Sequence, residues 1–183
     1  MSDSAPDRHD LLFAAEMSAR YHRRRAAFLE TTNNSLNFLT LAGGAGAFVS
    51  LYGAGTGIAK ALALVLALIG IIQIVFSPQA NAMKHKQWLI QWSDLIREIA
   101  LTPSPTPQQL DDWLRRRVAI ETECVVELRA LQADCFNRTS RAMGLEETHN
   151  YELRWWHRMF MQVIRFEHAF ERLPAHADAS RSA

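Results

Sequence analysis

The chain has 183 residues, of which 21% are charged and 49% are hydrophobic, and its formal net charge at pH 7 is +1. A nearly neutral chain lacks the basic excess with which nucleic-acid-binding proteins neutralise phosphates, so the composition argues against a nucleic-acid partner. The mean hydropathy of -0.11 is typical of a soluble protein, but this average hides one strongly apolar block.

The first segment, residues 1–9, is polar and is predicted to be disordered. An amphipathic helix is predicted from Asp10, the expected N-cap, through LLFAAEMSARYHRRRAAFLE. Basic residues flank the apolar block that follows, and we expect them to lie at the membrane surface. They are Arg20, Arg23, Arg24, Arg25, Lys84 and Lys86.

Two apolar runs, 36–54 and 58–76, form the centre of the chain. As helices of about 19 residues, each is roughly 28 Å long, which is close to the hydrocarbon thickness of a bilayer. The single charge, Lys60, lies near the end of its run, where its ammonium group can reach the headgroups. The pattern predicts a transmembrane hairpin, and the positive-inside rule puts both termini in the cytoplasm.

Three polar residues and one glycine at the start of the first run and just before it recur at spacings of four, three and four, which places them on one helical face. With the amide in the second run, these predicted sites are Asn33, Asn37, Thr40, Gly44 and Gln73. They either line an aqueous path or form hydrogen bonds between packed helices. Because one hairpin cannot enclose a pore, the first alternative requires a homo-oligomer.

Small residues in both runs are expected to allow close packing of the two helices. The predicted packing positions are Gly43, Gly46, Ala47, Ala63, Ala67 and Gly70.

Ser77-Pro78 is predicted to end the second span or to begin the next helix, which continues to about residue 101. The apolar face of this helix is predicted to contain Met83, Leu89, Ile90, Ser93, Ile96, Ile99 and Ala100. Three alternating prolines in TPSPTP, at 102–107, predict a turn.

A long helix is predicted over 108–143, ending at Gly144. On one helix, Cys124 and Cys135 are three turns apart, which is too far for a disulfide between them, so reduced cysteines are expected.

A last helix is predicted over 146–173, with a polar tail at 174–183. Its apolar residues fall on two stripes, which indicates a second partner besides the neighbouring helices. The residues expected to contact that partner or the membrane surface are Trp155, Trp156, Phe160 and Phe166.

No motif of an enzyme, a cofactor site or a metal site is recognised. GAGTGIAK, at 53–60, differs from a phosphate-binding loop because its lysine does not directly follow the last glycine. The seven histidines and two cysteines do not have the spacing of metal ligands. The sequence therefore predicts a non-enzymatic, all-α protein with an amphipathic helix, a two-helix transmembrane hairpin and a cytoplasmic helical bundle.

Three segments together resemble the SLATT family over roughly residues 15–145: ARYHRRRAAFLE, KHKQWLIQWSDLIREI and AIETECVVELRALQADCFNRTSRAMG. In the last segment Glu121, Leu131, Cys135 and Asn137 match the family pattern, while Glu123-Cys124 replaces its acidic–proline step. Members are two-transmembrane effectors associated with nucleotide-sensing systems of bacterial conflict.

The resemblance implies an anti-phage effector that oligomerises in the bacterial inner membrane and forms a pore or disrupts the membrane. It also implies a trigger, which is a nucleotide second messenger or a separate sensor protein. Three alternatives remain at this point: a phage holin-like lysis protein, a non-conducting membrane scaffold that recruits a partner through its C-terminal aromatic helix, and a soluble protein with a buried helical hairpin.

Overall fold

The computed structural model describes residues 7–53, 56–124, 128–145, 150–166 and 170. Within these ranges the chain is helical and contains no β-strand, which confirms the predicted all-α class. The helices are α1 (Arg8–Gly53), α2 (Thr56–Phe76), α3 (Pro78–Leu101), α4 (Pro107–Glu123), α5 (Arg129–Ala142) and α6 (Trp155–Phe160). Residues 1–6 and the predicted tail at 174–183 lie outside the described residues.

The chain divides into two compact units. The first, here called the terminal unit, comprises Met1–Arg23 and Gln87–Ala183. The second, here called the central unit, comprises Arg24–Lys86. The terminal unit therefore combines the start of the chain with its last half.

Helix α1 begins two residues earlier than predicted. Asp7, rather than Asp10, is the N-terminal capping residue, because its Oδ1 accepts a hydrogen bond of 2.8 Å from the backbone N–H of Asp10. The helix then continues without interruption to Gly53, so the amphipathic segment and the first apolar run form one helix.

One core cluster of the terminal unit is formed by three helices, of which α1 is far from α3 and α4 in sequence. Its buried residues are spaced by four in α1, by three and four in α3, and by seven in α4. They are Leu11, Ala15, Ala19, Trp92, Leu95, Ile99, Trp113 and Ile120. The predicted face of α3 is wrong in part, because Ile90 and Ser93 are exposed while Trp92 and Leu95 are buried. Ser93 instead donates to the carbonyl of Leu89 in its own helix.

Local chemistry fixes the turn between α3 and α4. Arg8 Nε donates to the carbonyls of Ile99 (3.1 Å) and Thr102 (2.9 Å), so a cation binds the C-terminal end of α3. Thr106 and Gln109 form a reciprocal capping box at the start of α4, with Pro107 at the first helical position. The predicted turn at 102–107 is therefore confirmed, except that Pro107 already belongs to α4.

The predicted single helix over 108–143 is wrong. Helix α4 ends at Glu123, and Cys124 (φ -99°, ψ 84°) and Leu128 (φ -90°, ψ 100°) have non-helical backbones. The sequence here, TECVV, is poor in strong helix formers. A distant contact stabilises the break, because the buried Tyr21 hydroxyl accepts a 3.1 Å hydrogen bond from the N–H of Leu128. The two cysteines are thus not on one helix, and neither forms a disulfide.

Helix α5 ends as predicted at Gly144, which has a positive φ of 72°. The N–H groups of Gly144 and Leu145 bond back to the carbonyls of Arg141 and Ser140, which is the Schellman pattern.

The predicted helix over 146–173 is also wrong within the described residues. Only α6, six residues long, is helical there. The amide of Asn137 forms two hydrogen bonds to Tyr151, donating to its carbonyl (2.8 Å) and accepting from its N–H (2.7 Å). Because a side chain of α5 engages both backbone groups of Tyr151, this segment is extended rather than helical.

A buried tryptophan connects α4 to α3 through a carboxylate. Trp113 is 1% exposed, and its Nε1 donates to Glu98 Oε1 at 2.9 Å. This hydrogen bond and the one from Arg116 lower the pKa of Glu98 below its ordinary value.

We expect Glu98→Ala to lower the free energy of unfolding by about 1–3 kcal/mol, because the indole N–H becomes buried without an acceptor. Glu98→Gln, which keeps an amide oxygen, should lose less. Asp94→Ala is the matched control, since Asp94 lies one turn earlier and forms an exposed ion pair with Arg97. Thermal unfolding in detergent would check this, and equal melting temperatures for Glu98→Ala and Asp94→Ala would contradict it.

Candidate functional site

The helices of the central unit expose an unusual amount of apolar surface. In α2 the exposed large side chains occupy about half of the helix circumference, on the sides that do not contact α1: Leu64, Val65, Leu68, Ile71, Ile72, Ile74, Val75 and Phe76. In α1 the corresponding residues are Phe38, Leu39, Leu41 and Phe48. A helix that is apolar all round requires an apolar environment, and the described residues leave this surface exposed.

One helical stretch among the described residues, Ala59–Leu101, is long and apolar enough to cross a membrane by length and composition. None of its apolar 18-residue window is buried inside the protein. The first predicted span, 36–54, is described only in part. Residues 54–55 and the side chains of Ala47 and 49–53 lie outside the described part of the chain.

Helices α1 and α2 contact each other at three described points in the central unit. Gln73 lies against Asn37, Leu66 against Gly43, and Leu62 against Gly46. Rising residue numbers in α1 meet falling numbers in α2, so the two helices are antiparallel.

The Leu66 side chain packs directly against Gly43. A methyl group at its Cα would lie 2.8 Å from Leu66 Cδ2, whereas one at Gly44 would meet nothing within 4 Å. The small residues of α2 are not at this contact, contrary to their predicted role: Ala63 and Ala67 are exposed, and a methyl group at Gly70 would also meet nothing within 4 Å. Instead, Leu62 and Leu66 of α2 occupy the space beside Gly46 and Gly43 of α1.

The residues predicted to line a path or to join the helices have three different environments. Gln73 Nε2 donates to Asn37 Oδ1 at 2.9 Å, which joins the two helices. Thr40 Oγ1 donates to the carbonyl of Leu36 in its own helix, and both Thr40 and Gly44 are exposed. Asn33 is half-buried. The sequence identified these residues but not the bond between the two amides.

A groove of about 570 Å³ lies beside this bond, lined in part by Asn33, Asn37, Gln73 and Ser77. Ser77 separates α2 from α3 and has a positive φ of 38°, a strained value for a residue other than glycine. Pro78 then begins α3, as predicted, and Asn81 Nδ2 donates to the carbonyl of Phe76 at 2.8 Å. The groove is therefore polar at the point where the apolar helix ends.

The predicted basic residues have different environments. In the central unit, Lys86 forms an ion pair with Glu30, and the Arg25 guanidinium lies 5.5 Å from the centre of the Phe28 ring. Arg24 is half-buried and Lys84 is exposed. In the terminal unit, Arg23 is exposed and Arg20 Nε lies 3.8 Å from Glu16 Oε2.

His85 is a titratable group that sequence reasoning did not single out. Burial, and then the nearby positive charge of Arg25, lower its pKa from 6.5 to about 4. The imidazole is therefore neutral at physiological pH.

The aromatic residues predicted to meet a partner do not form one surface. Trp155 is 72% exposed and Phe160 is exposed, whereas Trp156 is half-buried. Phe166 is buried and contacts the rings of Trp156 and His157. The prediction that Phe166 contacts a partner is therefore wrong.

Among the described residues, no group of three or more histidine, cysteine, aspartate or glutamate side chains is placed to hold a metal ion. Comparison of the chain with family models, with curated proteins and with solved structures gives no match.

We expect Gly43→Val to lower the stability of the helix pair by about 1–3 kcal/mol, because the new side chain overlaps Leu66. Gly44→Val is the matched control, with the same chemistry one residue along and open space around it. Melting temperatures in detergent would compare them. Equal effects would contradict the contact, and Leu66→Ala should partly restore Gly43→Val.

The low pKa of His85 predicts a pH dependence of stability. The unfolded chain binds this proton near pH 6.5 and the folded chain near pH 4, so the stabilisation is complete above pH 6.5 and declines as the pH falls towards 4. His85→Gln should reduce the fall in melting temperature over this range. His9→Gln, at an exposed position, is the control and should leave the fall unchanged.

Proposed function

We propose that this chain is a two-span protein of the bacterial inner membrane, with both termini cytoplasmic, that acts as a homo-oligomeric effector of the SLATT type. In this proposal it permeabilises the membrane when a nucleotide signal or a separate sensor protein activates it. The observation that supports the proposal most directly is the uncovered apolar surface of α2.

The size of that surface argues for lipid as its cover. Eight large apolar side chains between Leu64 and Phe76 are exposed. Leaving them in water would cost roughly 10 kcal/mol, since burying each one is worth about 1.5–3 kcal/mol and they are only partly exposed. This penalty is comparable to the whole stability of a small domain.

One polar residue and three small residues on the outside of the helix pair support the second step of the proposal, which is an assembly of several copies. The exposed positions Thr40, Gly44, Ala63 and Ala67 are not used in the α1–α2 contact, so they remain for helices of other copies. One pair of helices cannot surround a water-filled path, and several copies can.

The Asn37–Gln73 hydrogen bond provides a resting arrangement for these amides. Side-chain hydrogen bonds between membrane helices contribute about 0.6–2 kcal/mol. A trigger acting on the cytoplasmic helices needs to supply only that much to turn Asn37 and Gln73 from each other towards a shared axis.

The test is membrane potential, followed with a voltage-sensitive dye during induced expression. We expect the wild type to depolarise cells and the double variant Asn37→Leu, Gln73→Leu to do so at least about tenfold more slowly, because the polar lining is lost. The control pair Phe38→Leu, Ile74→Leu changes exposed neighbours in the same two helices and should behave as the wild type.

Cross-linking of the same variants separates conduction from packing. If Asn37→Leu, Gln73→Leu still assembles but does not depolarise, the amides line the path. If it fails to assemble, they hold the helices together. Depolarisation at the wild-type rate by an assembled double variant would contradict the pore-lining role.

One observation favours a second candidate, a non-conducting scaffold. Three apolar side chains of the last segment, Trp155, Met159 and Val163, are all more than 60% exposed. Such a patch fits the recruitment of a protein partner. Loss of a co-purifying partner in Trp155→Ser, Met159→Ser, without any effect on membrane potential, would support this candidate.

A further inference from the structure

The groove beside the Asn37–Gln73 hydrogen bond lies wholly within the central unit. Its volume of about 570 Å³ falls within the range of small-molecule sites. The described residues that line it carry no formal charge. Its polar lining residues are Asn33, Asn37, Gln73, Ser77 and Gln79, and Pro78, Ala80 and Met83 complete the wall.

The amides of this groove have hydrogen-bonding capacity left for a ligand. Gln73 Nε2 donates to Asn37 Oδ1, which leaves the Asn37 amino group and the Gln73 carbonyl oxygen for other partners. The side chains of Asn33 and Gln79 form no hydrogen bond with the described part of the chain. Because an amide both donates and accepts, the groove matches a ligand that carries hydroxyl groups.

Exposed apolar side chains of α2 adjoin the groove. Ile74, Val75 and Phe76 directly precede Ser77, and each of them is at least 66% exposed. A small soluble ligand would leave these side chains uncovered, whereas the acyl chains of a lipid would cover them. The polar groove and the apolar surface therefore follow one another as the headgroup and the chains of a lipid do.

The charges of the central unit favour an acidic headgroup. Glu30 is the one acidic residue in the sequence of this unit, and it forms an ion pair with Lys86. Lys84 is exposed and forms no ion pair with the described residues. It lies one turn after Ala80 and next to Met83, so its ammonium group can reach a phosphate in the groove. A headgroup with an ammonium group would find the carboxylate of this unit already paired.

We propose that this groove binds the headgroup of an anionic phospholipid that carries hydroxyl groups, the chemistry of phosphatidylglycerol. The amides of Asn33, Gln73 and Gln79 form hydrogen bonds with the glycerol hydroxyls, and Lys84 binds the phosphate. The acyl chains lie along Ile74 and the two residues after it. The site rests on the proposed membrane location of α2 but not on whether the chain conducts ions.

The experiment is native mass spectrometry of the full chain, released from an uncharged detergent and titrated with lipids that have identical acyl chains. Phosphatidylglycerol should bind about tenfold more tightly than phosphatidylethanolamine, because the groove offers an unpaired lysine and no unpaired carboxylate. It should also bind more tightly than phosphatidylmethanol, which has the same charge but no headgroup hydroxyl. Glycerophosphoglycerol, the same headgroup without acyl chains, should not displace the lipid.

Two variants separate the contributions of charge and hydroxyl groups. Lys84→Gln should abolish the preference over phosphatidylethanolamine, and its matched control is Lys60→Gln, at an exposed lysine of α2 that does not line the groove. The double variant Asn33→Leu, Gln79→Leu should abolish the preference over phosphatidylmethanol. Its control is Asn34→Leu, at an exposed neighbour outside the groove. Unchanged melting temperatures would establish that the variants are folded.

The proposal is overturned if the three lipids bind equally, if the preference over phosphatidylethanolamine survives in Lys84→Gln, or if glycerophosphoglycerol displaces the lipid. Alkaline carbonate extraction of membranes from expressing cells distinguishes this failure from that of the proposed function. A chain that stays in the membrane but shows no headgroup preference contradicts the groove site alone. A chain that carbonate releases contradicts the membrane location of α2 and the groove site with it.

Discussion

The constraint on which this molecule depends is that, among the described residues, its most apolar helix is left largely exposed. In soluble proteins the hydrophobic effect brings such a helix into the core. Here the core of the terminal unit is built from other segments, α1, α3 and α4, and its buried residues include none from α2. Among the described residues the apolar surface of α2 therefore stays exposed, and α2 is part of the one helical stretch there that is long and apolar enough to cross a membrane.

Against that apolar background, a few polar contacts determine the arrangement of each unit. In the central unit, the Asn37–Gln73 bond and the Gly43–Leu66 contact fix which residues of α1 meet which residues of α2. In the terminal unit, single side chains join distant segments: Arg8 to the end of α3, and Tyr21 to the start of α5. Hydrogen bonds are directional, whereas apolar contacts are not, so these bonds select one register from many with similar burial.

The predictable features of the fold are those with a local cause. The α2–α3 junction and the start of α4 follow from the missing N–H of Pro78 and Pro107, and the end of α5 follows from the backbone freedom of Gly144. The break at Cys124 and the extended chain at Tyr151 have distant causes, the hydroxyl of Tyr21 and the amide of Asn137. Helical periodicity continues through both sites, and the weak helix propensity of TECVV is a local signal at the first site only. The candidate site was likewise predictable only in part. Asn37 and Gln73 stand out as amides within apolar runs, but the sequence does not show that they form a hydrogen bond with each other.

The residues that form the core of the terminal unit are synthesised at widely separated times, and this delays the folding of that core. Arg8 bonds to a carbonyl 91 residues later, and Leu11 packs in one cluster with Trp113. Both apolar runs must therefore leave the ribosome before this core can close. Until then, the apolar face of the first helix has no partner in the nascent chain, and a domain with such long-range contacts folds late. A chain interrupted before Trp113 would carry the apolar helix but could not complete the core of the terminal unit.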